Sequence, residues 1–163
     1  VLDVFVISIA FLLRLFAGGV VSEVPLSPWI LLCTGLLSLL LGFGKRRAEL
    51  RLVGNNSGQT RKVLQDYRPD VLDQFIAIAA ACTILSYCLY TISEVTEMML
   101  GSRRLMLTIP FVMFGVMRFV YLVEVGATSD QPEEILLHDR WLLLSTMLWG
   151  VVTVVILYGL PVY

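Results

Sequence analysis

Five long apolar runs alternate with short polar stretches along the 163 residues of this chain: Val1–Val21, Ser27–Phe43, Val71–Ser93, Leu105–Glu124 and Trp141–Tyr163. Each lies near the ~20 residues that cross a ~30 Å hydrocarbon layer at ~1.5 Å per residue. The pattern predicts an all-α, polytopic transmembrane helical bundle with five spans, forming a single membrane domain over 1–163. Pro69 suits the first turn of the third helix, where a missing N–H costs nothing. Between the second and third runs, Asn55-Asn56-Ser57-Gly58 reads as a turn, and Gln59–Asp66 as a short helix.

Composition sharpens the picture. Apolar residues make up 58% of the chain and charged ones 15%, with a mean hydropathy of +0.84. These values exclude an ordinary soluble domain. Cys33, Cys82 and Cys88 all fall inside apolar runs, so they read as small packing residues rather than a disulfide or zinc framework. The chain opens at Val1 within an apolar run, without a basic leader, which predicts a portion of something longer.

Charge is distributed unevenly. Ser27 to Phe43 carries none, and then Lys45, Arg46, Arg47 and Glu49 arrive within five residues. Arg51, Arg61, Lys62 and Arg68 follow, so that seven of the twelve basic residues lie in the stretch 45–70, read as a basic loop. The positive-inside rule puts that loop in the cytoplasm. The Asn55-Asn56-Ser57 sequon then reads as a chance match.

The same cluster is the leading candidate for chemistry. Arginine offers a planar fork matched to phosphate oxygens, and lysine a mobile point charge. Lys45, Arg46, Arg47 and Arg61, with Tyr67 nearby, exceed what orientation requires and suit a polyanion. Glu49 adds nothing to a membrane anchor, so it reads as a residue that orients an arginine, a metal ion or a sugar hydroxyl. At four-residue helical spacing, Lys45 shares a face with Glu49, and Arg47 with Arg51.

Asp3 and Arg14 lie within the first span, where a charge costs ~2.5–3.5 kcal/mol on insertion scales and usually faces a protein interior. Their separation of about three turns puts them on one face, ~16 Å apart, too far to pair. Asp3 is expected at the level of the basic cluster and Arg14 deeper. Asp66 and Asp70 spell D-x-x-x-D, a possible Mg²⁺ pair that the intervening Pro69 argues against; Asp70 and Asp73 also suit a first helical turn. Asp139-Arg140 reads as a helix start that also pairs between helices. Arg118 reads as an interior or snorkelling residue, and His138 receives no role. No nucleophile elbow, catalytic Ser/His/Asp spacing or glycine-rich phosphate loop is present, and no nucleic-acid partner is expected.

With these residues in place, the chain resembles the UbiA superfamily of intramembrane transferases. Within it, the chain is most similar to the branch that transfers phosphoribosyl to decaprenyl phosphate. The resemblance is carried by DVFVISIAFLLRLFAGG from Asp3, Leu26-Ser27-Pro28-Trp29, Gly44-Lys45-Arg46-Arg47-Ala48-Glu49-Leu50, Arg61, Tyr67 and Asp139-Arg140. It implies about nine spans, of which these five are the last five. It also implies that Mg²⁺ is held mainly by an Asp-rich motif upstream of this chain. Where common members carry a second Asp-rich motif, this chain has Lys45-Arg46-Arg47-Ala48-Glu49.

The implied reaction moves 5-phosphoribosyl from phosphoribosyl pyrophosphate to a polyprenyl phosphate at the cytoplasmic face of a bacterial inner membrane. The product would serve cell-envelope polysaccharide synthesis. Lys45, Arg46, Arg47, Glu49, Arg61 and Tyr67 would bind substrate phosphates, and Asp3 and Arg14 would line the cavity. This portion alone is expected to be inactive. The alternatives are a UbiA-type prenyltransferase acting on an aromatic acceptor, and a transporter or scaffold without chemistry.

Overall fold

A computed structural model describes residues 1–22, 26–55, 68–100, 103–125 and 139–158. The described residues fold as α1 (Leu2–Val21), α2 (Pro28–Asn55), α3 (Pro69–Ile92), the short α4 (Glu94–Leu100), a 3₁₀ helix (Arg103–Thr108), α5 (Ile109–Val125) and α6 (Arg140–Tyr158). They contain no strand. Five helical stretches are long and apolar enough to cross a membrane, the fourth formed by the 3₁₀ helix continuing into α5. The protein is therefore an all-α integral membrane protein.

Helix starts follow local chemistry. Pro69 occupies the first turn of α3 after the extended Arg68. The Asp139 carboxylate accepts the Leu142 N–H at 2.8 Å and caps α6. Ser27 precedes α2, and its hydroxyl accepts the Trp29 N–H at 3.3 Å.

The second span differs from its expected end at Phe43. α2 continues through the charged cluster to Asn55, for 28 residues in all. At ~1.5 Å per residue it reaches ~42 Å, well beyond the ~30 Å apolar layer. Arginine, lysine, glutamate and leucine are good helix formers, and Arg46 pairs with Glu49 one turn on, so nothing local stops the helix until the asparagines.

α2 packs mainly against α3 and α1, α3 against α5, and α5 against α6. The core combines Val4 of α1, Leu40 and Phe43 of α2, Leu72 and Ile76 of α3, Val116 and Phe119 of α5, and Leu142 of α6. Two glycines let α2 approach its neighbours. A Cβ at Gly42 would stand 2.6 Å from Val4 Cγ1, and one at Gly44 2.9 Å from Phe119 Cζ. Polar links reinforce the contacts. Ser38 donates to Ser8 at 2.6 Å, and Ser8 donates to the Gly35 carbonyl at 2.9 Å.

At the opposite end of the bundle from the cluster, Trp149 Nε1–H donates to Tyr87 Oη at 2.8 Å. Because the Thr108 hydroxyl donates to the Leu105 carbonyl at 2.6 Å, Tyr87 donates to Thr108, also at 2.6 Å. The chain of bonds fastens the 3₁₀ segment to α3 and α6. Each member is satisfied, as a polar group in an apolar layer must be.

Candidate functional site

Successive spans run in opposite directions, so one end of the bundle collects the start of α1, the charged end of α2, the start of α3, the end of α5 and the start of α6. Ion pairs join them there. Arg46 Nε lies 2.7 Å from Asp3 Oδ2, and Arg46 Nη1 donates to Glu49 Oε2. Arg47 makes a two-pronged pair with Asp73, Nε to Oδ1 at 2.5 Å and Nη2 to Oδ2 at 3.0 Å. Arg51 donates to the Glu124 carbonyl at the end of α5. Arg118 grips Asp139, with Nη2 to Oδ2 at 2.7 Å, and stacks over Tyr121 at 5.2 Å.

Consecutive helical positions diverge by ~100°, so Lys45, Arg46 and Arg47 face three directions. Arg46 turns to α1 and Arg47 to α3. Glu49 shares a face with Lys45 by spacing, yet it pairs with Arg46. Lys45 enters no ion pair among the described residues and is only half-buried. The structure thus brings Asp3, Arg46 and Glu49 together, sets Arg47 beside Asp73, and leaves Lys45 as the cation closest to them without a carboxylate. Arg46 Nη2 and Arg47 Nη1 lie outside these contacts and remain oriented donors. Arg61, Lys62, Asp66, Tyr67 and His138 lie outside the described residues, as does the expected helix 59–66. Arg14 stands apart, exposed on α1, with its guanidinium 5.7 Å from the Phe11 ring.

Asp73 is the member whose pairing the sequence left unread. It lies one turn before the buried Ile76 and two before Ala80, and that inward register was the available signal. Asp139 does both things expected of it, capping α6 and pairing between helices. Arg118 beside it, together with the Leu142 N–H, holds its carboxyl below the usual carboxylate range, against a smaller opposing effect of burial.

No three Asp, Glu, His or Cys side chains converge on one point among the described residues. Asp3 and Glu49 both engage Arg46, and a cation between them would have to displace it. The described residues therefore do not fit a Mg²⁺ site.

Beside the cluster, an open cavity of about 410 Å³ lies between α3 and α5. Ala77, Ala80, Ile84, Val116 and Val120 make it apolar, and Tyr121 and Glu124 stand at its charged end. Its shape and chemistry suit a hydrocarbon chain.

These features define a membrane-embedded helical protein that gathers cations at one end of the bundle, Arg46, Arg47 and Arg118 held by carboxylates, next to an apolar groove. The chain matches no family model. It is similar to curated proteins named decaprenyl-phosphate phosphoribosyltransferase. Identity is 33% over 156 residues to the one from Mycolicibacterium smegmatis, covering 91% of this chain and 48% of that protein. It is 34% over 149 residues to the Mycobacterium tuberculosis protein, again 91% and 48%. The Corynebacterium glutamicum protein is 30% identical over 165 residues, covering all of this chain and 49% of its own length. The chain is thus a relative of these transferases and spans about half the length of the curated relatives it matches.

Proposed function

We propose that this chain supplies the donor-phosphate side of a phosphoribosyltransferase that moves 5-phosphoribosyl from phosphoribosyl pyrophosphate to a polyprenyl phosphate. The observation that carries the reading is the gathering of Lys45, Arg46 and Arg47 at one end of the bundle, the two arginines held by carboxylates of neighbouring helices, in a chain similar to transferases of that name. The lipid phosphate oxygen attacks C1 of the ribose, and the bond from C1 to the pyrophosphate oxygen breaks. The nucleophile is already an anion, so no strong base is required. What remains is to position two anions and to neutralise the charge growing on the departing pyrophosphate.

Lys45 meets the donor phosphates as a mobile charge. Asp3 and Glu49 fix Arg46 toward α1, and Asp73 fixes Arg47 toward α3, so the two guanidinium groups flank the donor from different sides. Arg61 and Tyr67 complete the phosphate contacts, and Asp3 and Arg14 line a substrate cavity on the α1 side, separate from the groove between α3 and α5, with Arg14 at its deep wall. The groove between α3 and α5 takes the apolar tail of the acceptor. The cluster faces the cytoplasm at a bacterial inner membrane, the chain forms the last five of about nine spans, and the product feeds cell-envelope polysaccharide synthesis. Mg²⁺ belongs to this reading only as an ion held outside the described residues.

The test is binding of phosphoribosyl pyrophosphate, with Mg²⁺ present, to a transferase of the relatives' length that carries this region. Lys45→Ala and Arg47→Ala are each expected to weaken binding at least tenfold, the scale of about 1.4 kcal/mol or more for one charge-assisted contact. Unchanged binding in both variants would reduce the cluster to an anchor for lipid headgroups.

A further inference from the structure

α1 has three chemically distinct faces. Val4, Ser8, Leu12 and Gly19 pack toward α2 and the segment leading into it. Leu2, Val6, Ile9, Leu13, Phe16 and Val20, spaced by alternating fours and threes, form a bulky and highly exposed apolar stripe. The third face carries Asp3, Ile7, Ala10, Arg14 and Ala17 in the same spacing, with Gly18 beside them. Ala10, Arg14, Ala17 and Gly18 are all exposed, and nothing approaches the Cβ position of Gly18 within 4 Å.

The depth of Arg14 decides what this face meets. Its guanidinium lies over the ring of Phe11, one turn back toward the helix start, as the N-terminal tilt of helical side chains favours. Phe11 is ~14 Å from Leu2 and ~15 Å from Val21 along the axis. The charge therefore points to the middle of the apolar layer and away from the nearer membrane surface, so it does not snorkel there. A guanidinium at that depth faces protein or a polar cavity, not lipid. Among the described residues it meets no carboxylate, whereas Asp3 at the other end of the face already engages Arg46.

We infer that the Arg14 face of α1 is the seam against a transmembrane helix from the half of a relative-length transferase that this chain does not span. That helix carries a carboxylate at mid-depth, which pairs with Arg14. Ala10, Ala17 and Gly18 allow its backbone to come close, and the bulky stripe is left for lipid. The inference deepens the reading of Arg14 as part of the deep wall and relies on it only for which side of α1 is internal.

The chain, reconstituted in phosphatidylcholine vesicles, is mixed with a leucine-rich spanning peptide bearing one central Glu, or with its Gln counterpart. Association is read by energy transfer. The Glu peptide is expected to bind about threefold to twentyfold more tightly than the Gln peptide. Arg14→Leu should erase that preference and Arg14→Lys keep it, with helicity by circular dichroism unchanged. Ala10→Leu with Ala17→Leu, which fills the face while leaving Arg14, should weaken both peptides.

Equal binding of the two peptides, or a preference that survives Arg14→Leu, overturns the inference. So does Arg14-dependent pairing of the chain with itself in place of the peptide. No phosphoribosyl pyrophosphate enters the experiment, so its outcome is separate from the fate of the proposed reaction.

Discussion

The side chains at the charged end differ less in charge than in what holds them. Arg46 and Arg47 are fixed by carboxylates from neighbouring helices, whereas Lys45 is not, so the first two are pre-oriented and the third is adaptable. The Arg118–Asp139 pair has a different consequence. The folded-state pKa of Asp139 is depressed by Arg118, so its contribution to stability is complete above the unfolded value of about 3.9. It is lost as the pH falls through the lowered folded value. Thermal unfolding in detergent should therefore show a loss of midpoint below about pH 4 that is smaller in Asp139→Asn. Asparagine still caps a helix, so that variant removes the ion pair and keeps the start of α6. An equal acid-induced loss in both proteins would deny the pair any such role.

Among the elements, α2 does most to set the architecture, because it contacts α1, α3 and α5. Gly35, Gly42 and Gly44 are spaces filled by side chains of other helices. A methyl group at Gly42 would press on Val4, which is 0% exposed and has nowhere to move. Gly42→Ala should cost about 1–3 kcal/mol in reversible unfolding from detergent, and Val4→Ala in the same chain should recover part of it. A neutral Gly42→Ala would mean that α1 and α2 separate freely at this point.

The element scale also shows what the sequence could reveal. Spans were legible because an apolar run of twenty residues has few other uses. The end of α2 was not, because polar residues that favour helix look like loop once they leave the apolar layer. The partners of the cluster were only half legible: spacing along one helix set Glu49 within reach of both Lys45 and Arg46, but the second carboxylate on Arg46, Asp3, comes from α1. Asp73 belongs to another helix altogether, and no periodicity within α2 could announce it.

At the scale of the whole molecule, the ion pairs of Arg46, Arg47 and Arg118 gather at one end, while the neutral polar chain Trp149–Tyr87–Thr108 and the exposed Arg103–Glu97 pair lie toward the other. The relatives are about twice as long, and the proposed reaction draws on groups from the half that this chain does not span. The isolated 163 residues, in vesicles containing polyprenyl phosphate and supplied with labelled phosphoribosyl pyrophosphate and Mg²⁺, should give no labelled lipid. Labelled lipid above the background of empty vesicles would show that one half suffices.

The carboxylates beside Arg46 and Arg47 have one more effect. They stand where dissolved anions would otherwise condense around bare guanidinium groups, so the empty site gathers few counterions of its own. A polyphosphate arriving there releases few ions to the solution, and its affinity falls only gently as salt is added. On the proposed reading, this keeps the donor surface usable at the crowded, ionic edge of the membrane without attracting every passing anion.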